Sequence, residues 1–122
     1  MEATDILELD PEMLWCAVLD DAGRIISYAE SEKGKVAKLP ANFSVTIKAL
    51  AIQGLSQAMP KELGSVKFTL VATNKYRLVT MMIIGQTVMF ALPLQVAADS
   101  ICDAAFKKFA NIPVASSTFS RR

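Results

Sequence analysis

The stretch from Leu78 to Ala98 runs for 21 residues without a charged side chain, and no other feature narrows the possible folds so sharply. An uncharged segment of that length is either a helix that spans a bilayer or a buried part of a globular core. Gly85, Gln86 and Thr87 interrupt it at the centre and Pro93 near the end, which suits strands joined by a tight turn better than one helix. Just upstream, Val66 to Thr73 alternates, with Val66, Phe68, Leu70 and Ala72 on one side and Lys67, Thr69, Val71 and Thr73 on the other. A period of two marks a half-exposed strand. Asn74-Lys75 then leads to a strand over Tyr76–Ile84, and Gly85-Gln86 leads to another over Thr87–Leu92. The expected result is a three-stranded meander, with a transmembrane helix over 78–98 as its rival.

The first half of the chain reads as a hairpin and a helix. Met13 to Leu19 is apolar without alternation, as in a strand buried on both faces. Asp20-Asp21-Ala22-Gly23 supplies turn residues, and Arg24 to Glu30 forms the second strand, where Arg24, Ser27 and Glu30 interrupt the apolar residues as at a sheet edge. Ser31 to Pro40 is a loop bearing lysines and a glycine. Asn42 then offers an N-cap to a helix that extends to Met59 and stops at Pro60. One stripe of this helix holds Phe43, Ile47, Leu50, Ala51, Gly54, Leu55 and Ala58; a second, nearly opposite, holds Val45, Ala49, Ile52, Ser56 and Met59. A helix apolar on two sides needs two neighbours. A last helix is expected over Gln95–Ala110, with Ala98, Ile101, Cys102, Ala105, Phe106 and Phe109 inward and Asp99, Asp103 and Lys107 outward.

These elements predict one α/β (α+β) domain over 1–110, followed by a tail over 111–122. The composition, 52% hydrophobic with five glycines and five prolines, excludes a disordered chain. Hairpin links force the strand pairs one-two, three-four and four-five. Placing the doubly apolar strands inside then gives a five-stranded antiparallel sheet of order 2-1-5-4-3, with a helix on each face.

The sequence carries little chemistry. It has no histidine, which removes the commonest general base and transition-metal ligand. Its glycines, at 23, 34, 54, 64 and 85, form no phosphate loop. Asp20 and Asp21 suit a turn cap, and Asp99, Asp103 and Lys107 suit a solvated helix face. Cys16 and Cys102 lie far apart and read as small core residues. No catalytic residue, cofactor or metal site is therefore expected. Trp15 is read as core; the alternative is a wall of a ligand pocket, which Met81, Met82 and Met89 would make adaptable.

Charge is balanced overall but not along the chain. Residues 1–32 hold nine acids against Arg24, and the remainder holds twelve bases against Glu62, Asp99 and Asp103. Such asymmetry fits a basic surface for nucleic acid or anionic lipid, an acidic start folded onto the rest, or pairing across a dimer. Nucleic acid is disfavoured, since no aromatic sits among Lys33, Lys35 and Lys38 for bases to stack on. Met1 to Asp10 lacks the basic flank and apolar run of a signal peptide, so a cytoplasmic location is expected.

Taken together, the Asp20-Asp21-Ala22-Gly23 turn, the helix from Asn42 to Met59, and the meander Val66–Leu92 followed by an amphipathic helix resemble the profilin-like sheets. Within that group they are most similar to roadblock/LC7 and longin-type modules. Roadblock modules usually carry a helix before the first strand, a part that only Thr4 to Leu9 could play here; longin-type modules lack it. The resemblance implies a non-enzymatic platform that forms homodimers and often holds or regulates a small GTPase. In roadblock modules the middle helix and the adjacent edge strand make the dimer. That maps onto Val45, Ala49, Ile52, Ser56 and Met59, with Lys67, Thr69 and Val71 of the strand. Two other readings stay open: a PAS-like small-molecule sensor with a cavity beside Trp15, and a basic binder of nucleic acid or membrane surfaces.

Overall fold

A computed structural model describes residues 1–20, 24–36, 61–64 and 66–110 of the chain. The strands are β1 (Trp15–Leu19), β2 (Ile25–Glu30), β3 (Thr69–Ala72), β4 (Tyr76–Ile83) and β5 (Gln86–Pro93). They form one antiparallel sheet of order β2-β1-β5-β4-β3, as the apolar content of the strands predicts. Every residue of the central β1 is buried. The uncharged 78–98 segment resolves into most of β4, all of β5 and the turn that follows, and no helix among the described residues is long and apolar enough to cross a membrane.

Two helices lie on one face of the sheet. Ala3 and Ile6 of α1 (Ala3–Leu7) join a core with Cys16, Val18, Val79, Met81, Val88, Phe90 and Leu92 of the strands. Ala98, Ile101, Cys102 and Ala105 of α2 (Asp99–Ala105) complete that core. Alternate residues on the strands point to the opposite face, where Leu14, Trp15, Ala17, Leu19, Leu78, Met89 and Ala91 form a second buried cluster. The predicted helix over Asn42–Met59 and the tail over 111–122 lie outside the described residues.

Several boundaries differ from expectation: β1 begins at Trp15 rather than Met13, β2 at Ile25 rather than Arg24, and β5 spans Gln86–Pro93 rather than Thr87–Leu92. The edge strand β3 is four residues long rather than the eight of Val66–Thr73, because only Thr69–Ala72 pairs with β4. The last helix starts at Asp99 rather than Gln95, since Pro93 first closes a turn in which the Val96 N–H donates to its carbonyl at 3.2 Å. The helix continues from Phe106 to Ala110 as a wider π turn that leaves Phe106 and Phe109 half-buried against the core. Finally, the β4–β5 loop is Ile84-Gly85 rather than Gly85-Gln86, because Ile83 pairs with Gln86. Both loop residues have positive φ, 49° and 76°, the geometry a two-residue turn needs to follow the twist of its strands.

After β2 the chain folds back on itself at Leu14. The Ser31 N–H and hydroxyl both donate to the Leu14 carbonyl, at 2.9 and 3.1 Å. The Ser31 hydroxyl also accepts the Gly34 N–H at 3.1 Å, opening the tight turn Lys33–Val36. The segment read as a loop bearing lysines and a glycine is thus tied at its start to the residue that leads into β1.

Candidate functional site

The side chains with most intrinsic reactivity are committed to structure. Cys16 and Cys102 are both buried. Burial pushes the Cys16 thiol far above its ordinary range. It also pushes Cys102 up to about 12, with Asp103 and Asp99 adding to the shift. Neither is a thiolate at neutral pH, the form that attacks electrophiles and binds metals. Asp20 closes the β1–β2 connection by accepting the Arg24 N–H and the Arg24 Nε, each at 2.9 Å; Asp21 lies outside the described residues. No group of three or more carboxylates and thiols among the described residues is placed to hold a metal ion. Trp15 is 2% exposed and belongs to the buried cluster, the core role read for it.

The charge asymmetry of the sequence becomes a spatial one. Among the described residues, Asp20 pairs with Arg24, Glu12 with Lys33 and Glu32 with Lys35, while Lys67 pairs with Asp103. Two of them, Glu12–Lys33 and Glu32–Lys35, join the acidic residues 1–32 to bases just beyond that stretch, and none joins residues 1–32 to residues 66–110. The sheet order places α1 and β2 at one edge and β3 at the other. One edge carries Glu2, Asp5, Glu8 and Glu30, with Arg24, Lys33 and Lys35 beside it paired to carboxylates, and the other is flanked by Lys67, itself paired with Asp103, and by Lys75 and Arg77.

Of the eight residues predicted for self-association, Val45, Ala49, Ile52, Ser56 and Met59 lie outside the described residues. The other three are on the approach to β3 or within it, in different settings. Lys67 is bound by Asp103 of the same chain. Thr69 is buried, with its hydroxyl turned to the Thr80 carbonyl. Val71 is 40% exposed and its neighbour Leu70 39%.

Sequence alternation sorts side chains between faces but says nothing of the backbone, and the backbone is what an edge presents. The Thr73 N–H donates to the Tyr76 carbonyl at 2.9 Å. This sets the phase of the ladder, so Thr69 and Val71 turn their backbone groups toward β4 while Leu70 and Ala72 turn theirs outward. The outer side of β3 is thus a short row of N–H and C=O groups beside two half-exposed apolar side chains. Rows of this kind are templates for another strand.

No family model matches the chain, and no curated protein matches it. Solved structures do. A roadblock/LC7 domain from Streptomyces avermitilis is similar at a TM-score of 0.62 and 12% identity, covering 98% of this chain and 92% of that one. A structure titled MglB with tetrameric arrangement has a TM-score of 0.58 at 13% identity, covering 88% of each chain. The gliding protein mglB from Thermus thermophilus has a TM-score of 0.56 at 11% identity, covering 90% of this chain and 87% of that one. The presence of α1 before β1 agrees with the roadblock arrangement over the longin one. The chain has a roadblock/LC7-like fold.

Proposed function

We propose that the chain is a non-enzymatic protein-interaction module that forms a homodimer and serves as a scaffold or regulator for a small GTPase. The observation that carries the reading is the outer edge of β3, where Leu70 and Ala72 turn their backbone groups outward and Leu70 and Val71 are half-exposed. A second copy placed antiparallel at this edge would satisfy those groups and join two sheets. Val45, Ala49, Ile52, Ser56 and Met59, which the sequence periodicity sets on one stripe, would add the second surface that a stable dimer needs beyond a few backbone bonds. The tetrameric arrangement named for one of the similar structures supports self-association as a use of this fold. The GTPase is proposed from the roadblock resemblance.

Light scattering on the full chain tests the dimer. A dimer is expected, with Ile52→Asp and Val71→Lys each shifting it toward monomer because each puts a charge into an apolar contact. A chain that is monomeric throughout, or a dimer untouched by either substitution, overturns the reading. The GTPase arm is tested by titrating the chain against small GTPases of its own genome loaded with GTP or GDP; binding that depends on the nucleotide is expected.

A further inference from the structure

The opposite edge of the sheet is built for a different guest. Among the described residues β2 pairs only with β1, and the Ser31 N–H to Leu14 carbonyl bond sets the phase of that ladder. Ser27 and Ala29 accordingly turn their backbone groups inward, toward β1, and Tyr28 and Glu30 turn theirs outward. A bulge leaves Ile26 as an extra residue, since Val18 pairs with Ser27 and Leu19 with Ile25. The regular outward row is therefore confined to the second half of β2. Tyr28 and Glu30 also share a sheet face, where the Tyr28 hydroxyl donates to a Glu30 carboxylate oxygen at 3.1 Å. Tyr28 is 39% exposed, so an apolar surface and a carboxylate stand side by side on the rim.

The charge around this edge selects the guest. β2 and α1 with its cap carry Glu2, Asp5, Glu8 and Glu30 and no lysine or arginine. The flanking Arg24, Lys33 and Lys35 are each paired with another carboxylate, Asp20, Glu12 and Glu32, so the balance stays acidic although Lys35 also lies within reach of the Glu30 charge. The Glu2 carboxylate reaches β2 itself, accepting the Ser27 hydroxyl at 3.1 Å. A second β2 laid against this edge would bring Glu30 toward its own copy, and like charges across a strand pair repel. A basic strand gains from the same field.

We propose that the outer edge of β2 captures an extended basic segment of a partner protein as a sixth strand. The segment's backbone pairs with Tyr28 and Glu30, an apolar side chain lies against Tyr28, and a lysine or arginine two residues away meets Glu30. Because alternate residues of a strand share a face, the recognised pattern is an apolar residue and a basic residue spaced by two, in either chain direction. This site is on the far side of the sheet from β3, so it does not depend on the dimer proposed above.

The test uses the full chain and two capped nonapeptides, one with a Lys-Thr-Val-Thr-Lys centre and one with Glu-Thr-Val-Thr-Glu. The lysine peptide is expected to bind, to slow hydrogen exchange at the Tyr28 and Glu30 amides, and to weaken as salt is raised. Glu30→Lys, which turns an attraction into a repulsion, is expected to weaken it about tenfold. Glu30→Gln, which keeps the shape of the side chain, gives a smaller loss in the same direction and stands in should the lysine variant fail to fold. Four results would each overturn the proposal: no binding of the lysine peptide, equal binding of its glutamate twin, protection at Leu70 and Ala72 instead, or protection of Tyr28 and Glu30 in the chain alone as its concentration rises, which would mark a second copy as the occupant.

Discussion

Trp15 and Tyr28 stack across the β1–β2 pair, with ring centroids 6.4 Å apart and planes 28° from parallel. They are not directly opposed. Trp15 faces Glu30, and Tyr28 faces Ala17, whose small side chain lets the tyrosine ring lean along the strand over the indole. Burial against that ring, then the hydrogen bond to Glu30 and its charge, raise the Tyr28 pKa from 10.0 to about 12. The neutral phenol is thus favoured in the folded chain. Its contribution to stability is complete below the ordinary tyrosine pKa and is lost as pH rises toward about 12. The difference in ultraviolet titration between the native chain and Tyr28→Phe should centre near 12. Glu30→Gln should lower that midpoint but leave it raised, since burial is the larger cause. A difference curve centred at the ordinary tyrosine value would refute the stacked, hydrogen-bonded arrangement.

The β4–β5 turn holds a conformational conflict. Ile84 has φ of 49° and is 75% exposed, so a β-branched residue occupies left-handed backbone with no burial to offset it. That conformation costs a non-glycine residue about 1–2 kcal/mol, whereas asparagine followed by glycine is the preferred pair in such a turn. Ile84→Asn should therefore stabilise the chain by about 1 kcal/mol. The check is a urea midpoint that rises with unchanged slope; a midpoint at or below that of the native chain would show that Ile84 is held by something other than turn geometry.

Gly34 presents the opposite case. A Cβ built there would lie 1.6 Å from the Leu14 carbonyl oxygen and 2.5 Å from its carbon, and both belong to backbone that cannot rotate away. Gly34→Ala should destabilise by about 2–3 kcal/mol through forced displacement of the turn. Ser31→Ala, which removes a hydroxyl bonded to both Leu14 and Gly34, should cost nearer ~1 kcal/mol. Denaturation of the two variants in parallel decides the order. A glycine replacement milder than the serine one would mean that the turn does not press on Leu14.

How much of this was legible in the sequence depended on the length scale of each signal. The sheet order followed from which strands are apolar on both faces, and β1 and β5 are buried almost throughout. Turn registers were less legible. One glycine in an apolar run marks a turn, yet Ile84-Gly85 and Gly85-Gln86 differ by a single residue and only strand pairing separates them. Gly34 gave no signal at all, because its role is set by the carbonyl of Leu14, far back along the chain. The candidate surfaces were half legible: the alternation over Val66–Thr73 located an edge, but the direction of its backbone groups is a property of the ladder. The same gap hid the outward row at Tyr28 and Glu30.

Lys67 is where edge and helix meet. It precedes β3, and its ammonium is bound by Asp103 of α2, so the approach to the proposed dimer edge is tied to a helix packed on the sheet. Both side chains remain partly exposed, and water and salt screen such a pair to about 0.2–1 kcal/mol. A double-mutant cycle with Lys67→Met and Asp103→Asn should give a coupling in that range that shrinks as salt is added. The local effect should exceed the global one: breaking the tie frees the start of a four-residue strand, so the Thr69 and Val71 amides, which face β4, should exchange faster in either variant than the loss of global stability explains. If their exchange quickens only in step with the loss of global stability, the ion pair is an incidental surface contact, and β3 is held in place by its ladder with β4 alone.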